Sequence, residues 1–195
     1  MANIDAAFGL RPIAKVGSAP GGTTGTTKYS IADNQGTAIF TGDPVKYKND
    51  GTVEVATAGD AICGVFMGCF YTDPTTKKPT FSNYYPGSIN ASDIVANVID
   101  DPNTLFLVDS DEAFTRAGLF IGYKTTNVTG NTATGISKVQ LDTSTADSTN
   151  AIPLQAVDIC QDVNNSDTTA ANANVIVRIQ NHFLNPPAAA GDTGV

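Results

Sequence analysis

Few residues in this chain of 195 carry chemistry by their type and spacing. Three cysteines, Cys63, Cys69 and Cys160, and one histidine, His182, are the natural nucleophiles, bases and soft metal ligands. Cys63 and Cys69 share one apolar run. Drawn out as a strand at roughly 3.3 Å per residue, that run separates them by about 20 Å, whereas a disulfide needs Cα atoms within about 7 Å. They do not bond each other there, and the cysteines read as small buried hydrophobes of a reducing compartment. A single histidine and no C-x-x-C leave zinc without a ligand set. His182 could act as a base toward a serine or Cys160, but no G-x-S-x-G or comparable context accompanies it, so it reads as a terminal-strand residue beside Phe183.

The remaining motifs are weaker. A phosphate-gripping loop needs a lysine in GK[ST] between a strand and a helix, and in Gly21-Gly22-Thr23-Thr24-Gly25-Thr26-Thr27-Lys28 the lysine lies between Thr27 and Tyr29 with no helix pattern after it. Glycosidases need two placed carboxylates, but Glu54 falls on an expected solvent face and Glu112 in an expected helical turn. Asp109-Ser110-Asp111-Glu112 lacks the glycine and the distal glutamate of an EF-hand, so capping is its expected role. N-x-[ST] triplets at Asn90, Asn127 and Asn164 are what a chain rich in Asn, Ser and Thr yields by chance. The reading is therefore of no enzyme, no cofactor and no metal site.

Charge and composition narrow the class further. The formal net charge of -8 disfavours nucleic acid as a partner. No apolar run approaches the roughly 18 residues of a membrane helix, and the opening MANIDAAFGLRP lacks the basic and apolar regions of a secretory signal, so a protein made in a cytoplasm and without a membrane partner is expected. Threonine, alanine, glycine and asparagine crowd the chain while leucine, glutamate, lysine and arginine are scarce, which favours strands and turns over helices.

The elements follow from period-2 patterning. Pro44 to Ala56 reads as a hairpin turning at Asn49-Asp50-Gly51, with Val45, Tyr47, Val53 and Val55 inward and Lys46, Lys48 and Glu54 outward. Ile62 to Tyr71 is apolar on both alternating faces and is expected to be a central strand between two packed layers, with Gly64 and Gly68 leaving room for Phe66 or for a close backbone approach. Further strands are expected at 80–85, 94–99, 104–108, 119–123, 137–141, 152–159 and 175–180, and a helical turn at 111–117 capped by Ser110. The polar stretches 142–150 and 164–174 read as surface loops. The expected fold is all-β, an antiparallel β-sandwich or barrel with an extended N-terminal arm and at most one or two short helices.

Three regions are expected along the chain. Residues 1–28 form an arm and a Gly/Thr-rich connector, 29–184 a β-rich body possibly in two lobes dividing near 110–135, and 185–195 a tail. In the arm, Ile4, Phe8, Leu10, Pro12 and Ile13 make an apolar island too small for a core of its own, with Arg11 positioned to pair with an acidic group. These six are the candidate contact residues for a partner surface or an adjacent copy.

The opening Met1-Ala2-Asn3-Ile4-Asp5-Ala6-Ala7-Phe8-Gly9-Leu10-Arg11-Pro12, the segment Gly36 to Lys46, the run Gly64 to Cys69 and Phe81 to Pro86 resemble a family of tailed-bacteriophage capsid decoration, or cement, proteins. The similarity covers mainly residues 1–110. It implies a β-rich virion protein without catalytic residues, seated on the outer surface of an icosahedral head, commonly as homotrimers, and holding neighbouring major capsid subunits together. The alternative expectation is a carbohydrate- or receptor-binding β-sandwich of a virion surface, stacking sugars on Tyr71, Tyr84, Tyr85 or Tyr123.

Overall fold

The computed structural model describes residues 3–17, 25–150 and 152–185, and in them the chain forms twelve strands and one short 3-10 turn, Arg116–Gly118. All strand pairings are antiparallel, in two sheets. The first joins β1 (Arg11–Lys15), β8 (Thr104–Asp109), β12 (Asn174–Ile179), β11 (Leu154–Ile159), β9 (Gly122–Thr125) and β10 (Leu141–Asp147) in that spatial order. The second runs β2 (Thr27–Ser30), β7 (Val95–Ile99), β5 (Gly64–Thr72), β3 (Pro44–Tyr47), β4 (Val53–Val55), with β6 (Pro79–Ser82) also against β5. The fold is an all-β sandwich.

β5 organises both cores. Successive side chains leave a strand on opposite faces, so its unbroken apolar run fills two volumes. Val65 packs between the sheets with Leu10, Ile99, Phe106, Val108, Leu141, Leu154, Val175, Val177 and Ile179. Phe66, Cys69 and Tyr71 pack on the far face with Val45, Val53, Ala96 and Val98, closed over by Ile31, Ile39, Tyr85 and Ile94 from the connecting segments. Both expected glycines serve close backbone approach. A Cβ on Gly64 would lie 2.3 Å from the Ile99 carbonyl oxygen. Gly68, at φ +131, carries a bulge between Phe66 and Cys69, and a Cβ there would lie 2.9 Å from the Ser82 carbonyl oxygen. Along one edge of β5, β3 pairs near Gly64 and β6 beyond the bulge, at Cys69 to Thr72.

The hairpin, β5, β7, β8, β11 and β12 lie where the patterning puts them, with Gly51 at φ +82 in the turn. Three expectations are corrected. The strand expected at 137–141 begins only at Leu141 and runs on through the polar residues expected to be a loop, as β10. It is an edge strand whose alternate positions face water, so Thr, Ser and Asp are tolerated, and Thr125 and Lys124 of β9 pair with its start. The strand expected at 119–123 shifts to β9, because residues 116–118 take the 3-10 turn. The helical turn expected at 111–117 is reduced to the 3-10 turn Arg116–Gly118, with Thr115 rather than Ser110 before it. Ser110 donates its hydroxyl to the Glu112 carbonyl at 2.8 Å and accepts the Ala173 N–H at 3.1 Å, so its capping capacity serves loop closure.

The N-terminal segment is extended, and it lies along the body of its own chain. Arg11 to Lys15 pair with β8, Leu10 donates its N–H to the Gly42 carbonyl at 2.9 Å, and the Leu10 side chain is 1% exposed within the inter-sheet core. Gly9 makes this approach possible: it sits at φ +71, and a Cβ would fall 2.5 Å from Ser137 Cβ and 2.6 Å from the Gly42 carbonyl oxygen. Leu10, expected as a contact residue, packs as a core residue in this fold, because the body supplies the apolar volume it needs. β2 begins at Thr27, within the expected connector, and the chain passes from the second sheet to the first at 100–103.

Leu10→Ala should lower the free energy of unfolding by about 2 to 5 kcal/mol, as expected for a fully buried leucine. Urea denaturation measures it, and a loss below about 0.5 kcal/mol would mean that the segment is not docked.

Candidate interaction surface

The structure separates the residues that could do chemistry. Cys63 and Cys69 are free and buried, and burial pushes both thiols up to about 12, far from a reactive thiolate. Cys160 is half-buried, with its thiol also raised, mainly by burial. His182 has no exposed surface. Its Nδ1 accepts the Leu184 N–H at 3.0 Å, and burial holds its pKa below the usual histidine range, so the ring is neutral. Around it, Ile62 donates to the Asn181 carbonyl at 3.0 Å and Phe183 to the Ile62 carbonyl at 3.1 Å, which ties the last described segment to the start of β5. The histidine sits in this latch.

The carboxylates are engaged in structure. Glu54 faces Lys46 and Lys48 at 3.7 and 3.9 Å, and Lys46 also pairs with Asp60 at 2.8 Å. Glu112 is exposed. Asp111 accepts from the Thr143 N–H and hydroxyl at 3.0 and 2.9 Å, pinning β10. Asp100 accepts from the Tyr29 hydroxyl at 2.7 Å, which in turn accepts from the Tyr47 hydroxyl at 2.8 Å. Burial is the main influence that raises both phenols, so the two hydroxyls stay protonated as donors. Asp109 is 1% exposed, and burial raises its carboxyl to about 6, against hydrogen bonds from Gln140 at 3.2 Å and from the Ser110 backbone. Among the described residues, no group of three or more His, Cys, Asp or Glu side chains gathers as a metal site. The glycine-rich run falls partly outside the described residues, and Lys28 is exposed on β2.

The six arm residues divide. Ile4 is 53% exposed, and its backbone is clamped by Asn165, which accepts the Ile4 N–H at 3.3 Å and donates to the Ile4 carbonyl at 2.9 Å. Asn3 adds hydrogen bonds to the carbonyls of Asp167 and Ala171 at 2.9 and 2.8 Å. The Arg11 guanidinium lies 4.3 Å from the centre of the Phe8 ring rather than against a carboxylate. Phe8 and Arg11 line a cleft of about 450 Å³ shared with Lys138 and Asn174. Pro12 and Ile13 are half-buried and Leu10 is internal, so Ile4 and Arg11 are the members exposed to a neighbour.

The most exposed rings lie elsewhere. Phe120 is 72% exposed at φ +64, a left-handed conformation that costs a bulky residue roughly 1–2 kcal/mol. The backbone holds it there: the Phe120 N–H donates to the Ala156 carbonyl at 2.9 Å, and Gln155 donates to the Phe120 carbonyl at 3.2 Å. Phe81, 65% exposed, stands opposite Phe70, 42% exposed, across the β6–β5 ladder. Phe183, 56% exposed, packs edge-on to Tyr47 with centroids 4.5 Å apart. The patterning missed Phe120 because an apolar residue in an apolar run reads as core. Of the tyrosines considered for sugar stacking, Tyr71, Tyr85 and Tyr123 are buried, and Tyr84 is stacked on Phe40.

Two measurements check these environments. A thiol reagent added to native protein should label Cys160 and leave Cys63 and Cys69 untouched until the chain is unfolded; fast labelling of all three would contradict the buried pair. For Asp109, the folded carboxyl titrates near 6 and the unfolded one near 3.8, so its stabilising protonation is complete below the lower value and lost as pH rises through the higher. The melting temperature of Asp109→Asn relative to the native protein should therefore climb between about pH 4 and pH 7, and a flat or falling difference would refute the assignment.

No protein-family description, curated protein or solved structure matches this chain.

Proposed function

We propose that this protein is a non-enzymatic structural subunit that binds the outer surface of a bacteriophage capsid and braces contacts between major capsid subunits. The virion, the capsid partner and a homotrimeric state come from the resemblance carried by residues 1–12, 36–46, 64–69 and 81–86. The observation that best supports an adhesive role is Phe120: the fold spends backbone strain to hold a large ring in water, where no described residue covers it. Strained, exposed aromatics on hydrogen-bonded backbone suit docking, because little conformational freedom is lost on contact. Phe81 and Phe70 extend the same logic to the β5–β6 edge.

The mechanical reasoning needs no chemistry. A clamp spanning a subunit boundary resists separation by adding interfacial free energy, and several weak contacts on one oligomer raise avidity by roughly 10² to 10⁴ over a single site. A net charge of -8 per chain suits an outer face that keeps decorated particles apart and never meets the genome.

Purified protein mixed with undecorated shells should co-sediment at a saturable, fixed ratio. Phe120→Asn, a residue that tolerates the left-handed backbone, should weaken that binding about 10- to 100-fold, the worth of one buried phenylalanine, while the melting temperature holds or rises. Absence of saturable binding by the native protein would reject the reading.

A further inference from the structure

We propose that residues 3–15 are exchangeable between copies of this chain, so that the groove filled here by a chain's own segment also receives the same segment of a second copy. The segment is bound as a separate piece. Among the described residues, β1 lies at the outer end of its sheet order and pairs with β8 alone, so withdrawing it breaks no other described strand pairing. Its further anchors are distant in sequence: Leu10 to Gly42, and Asn3 and Ile4 to residues 165–171. Gly9 and Leu10 fit a notch shaped for them, which makes the groove selective for this sequence.

The connector decides which copy supplies the segment. Its two ends are held at adjacent residues of one turn: Lys15 pairs with Asp101 at 2.6 Å, and Thr27 donates to Asp100 at 2.9 Å. The intervening residues 16–26 can reach about 36 Å at roughly 3.3 Å each, well beyond what joining those neighbouring anchors requires. That length of chain is enough for the segment to reach an adjacent molecule. The contacts are identical in both arrangements, so only effective concentration separates them. A tether of this length gives its own segment about 1 mM, and a second copy competes once proteins approach that concentration or stand side by side.

The test uses full-length chains carrying Cys160→Ser. Ala14→Cys and Leu105→Cys, placed at partner positions of β1 and β8, are mixed unfolded and refolded together at about 1 µM and about 1 mM. Exchange yields a disulfide-linked heterodimer whose share rises at least about a hundredfold between the two concentrations. Arg11→Cys with Leu107→Cys repeats the measurement at a second partner pair. A third readout needs no new cysteine: native protein refolded at about 1 mM and then diluted should elute as a multimer by light scattering, reverting to monomer only slowly. A concentration-independent heterodimer, or no heterodimer from either pair together with immediate all-monomer elution, overturns the proposal.

Discussion

From Gly64 to Cys69, β5 packs against neighbours on both of its faces, and the rest of the fold follows from that. Val65 must be covered by the first sheet and Phe66 by the segments around Ile39 and Tyr85, so one strand obliges the chain to build material on both of its sides. The two cores are thereby coupled: a register slip of one residue in β5 would send each side chain to the wrong volume. The glycines at 64 and 68 permit the arrangement by letting Ile99 and Ser82 main chain approach where a Cβ would collide.

Burial on this scale also silences the few reactive groups. Cys63, Cys69 and His182 are kept uncharged by desolvation, and the Tyr47–Tyr29–Asp100 chain closes its hydrogen bonds internally. The opposite treatment of Phe120, held outward by its backbone, points the same way: the chain places its distinctive chemistry inside as structure and its apolar surface outside. Such a distribution suits adhesion. The N-terminal segment joins both themes, since Leu10 is core while Ile4 and Arg11 remain available at the surface.

Sequence periodicity by itself determined the all-β class, the hairpin at 44–56, the doubly buried β5 and the inward set Val175, Val177 and Ile179, because alternation records which face each residue gives to a core. It could not reveal β10, whose Thr, Ser and Asp carry no apolar alternation and pair only because β9 lies alongside. Nor could it separate core from exposed aromatics: Phe114 and Phe120 are six positions apart in similar company, and only the left-handed backbone at Phe120 turns that ring to water. The N-terminal island marks the same limit. Its apolar residues announced that they needed a surface, but which surface is a matter of tertiary geometry, and the notch at Gly42 and Ser137 with the β8 edge that β1 pairs supplies it. Local patterning specifies what must be buried; the long-range packing of the two sheets decides against what.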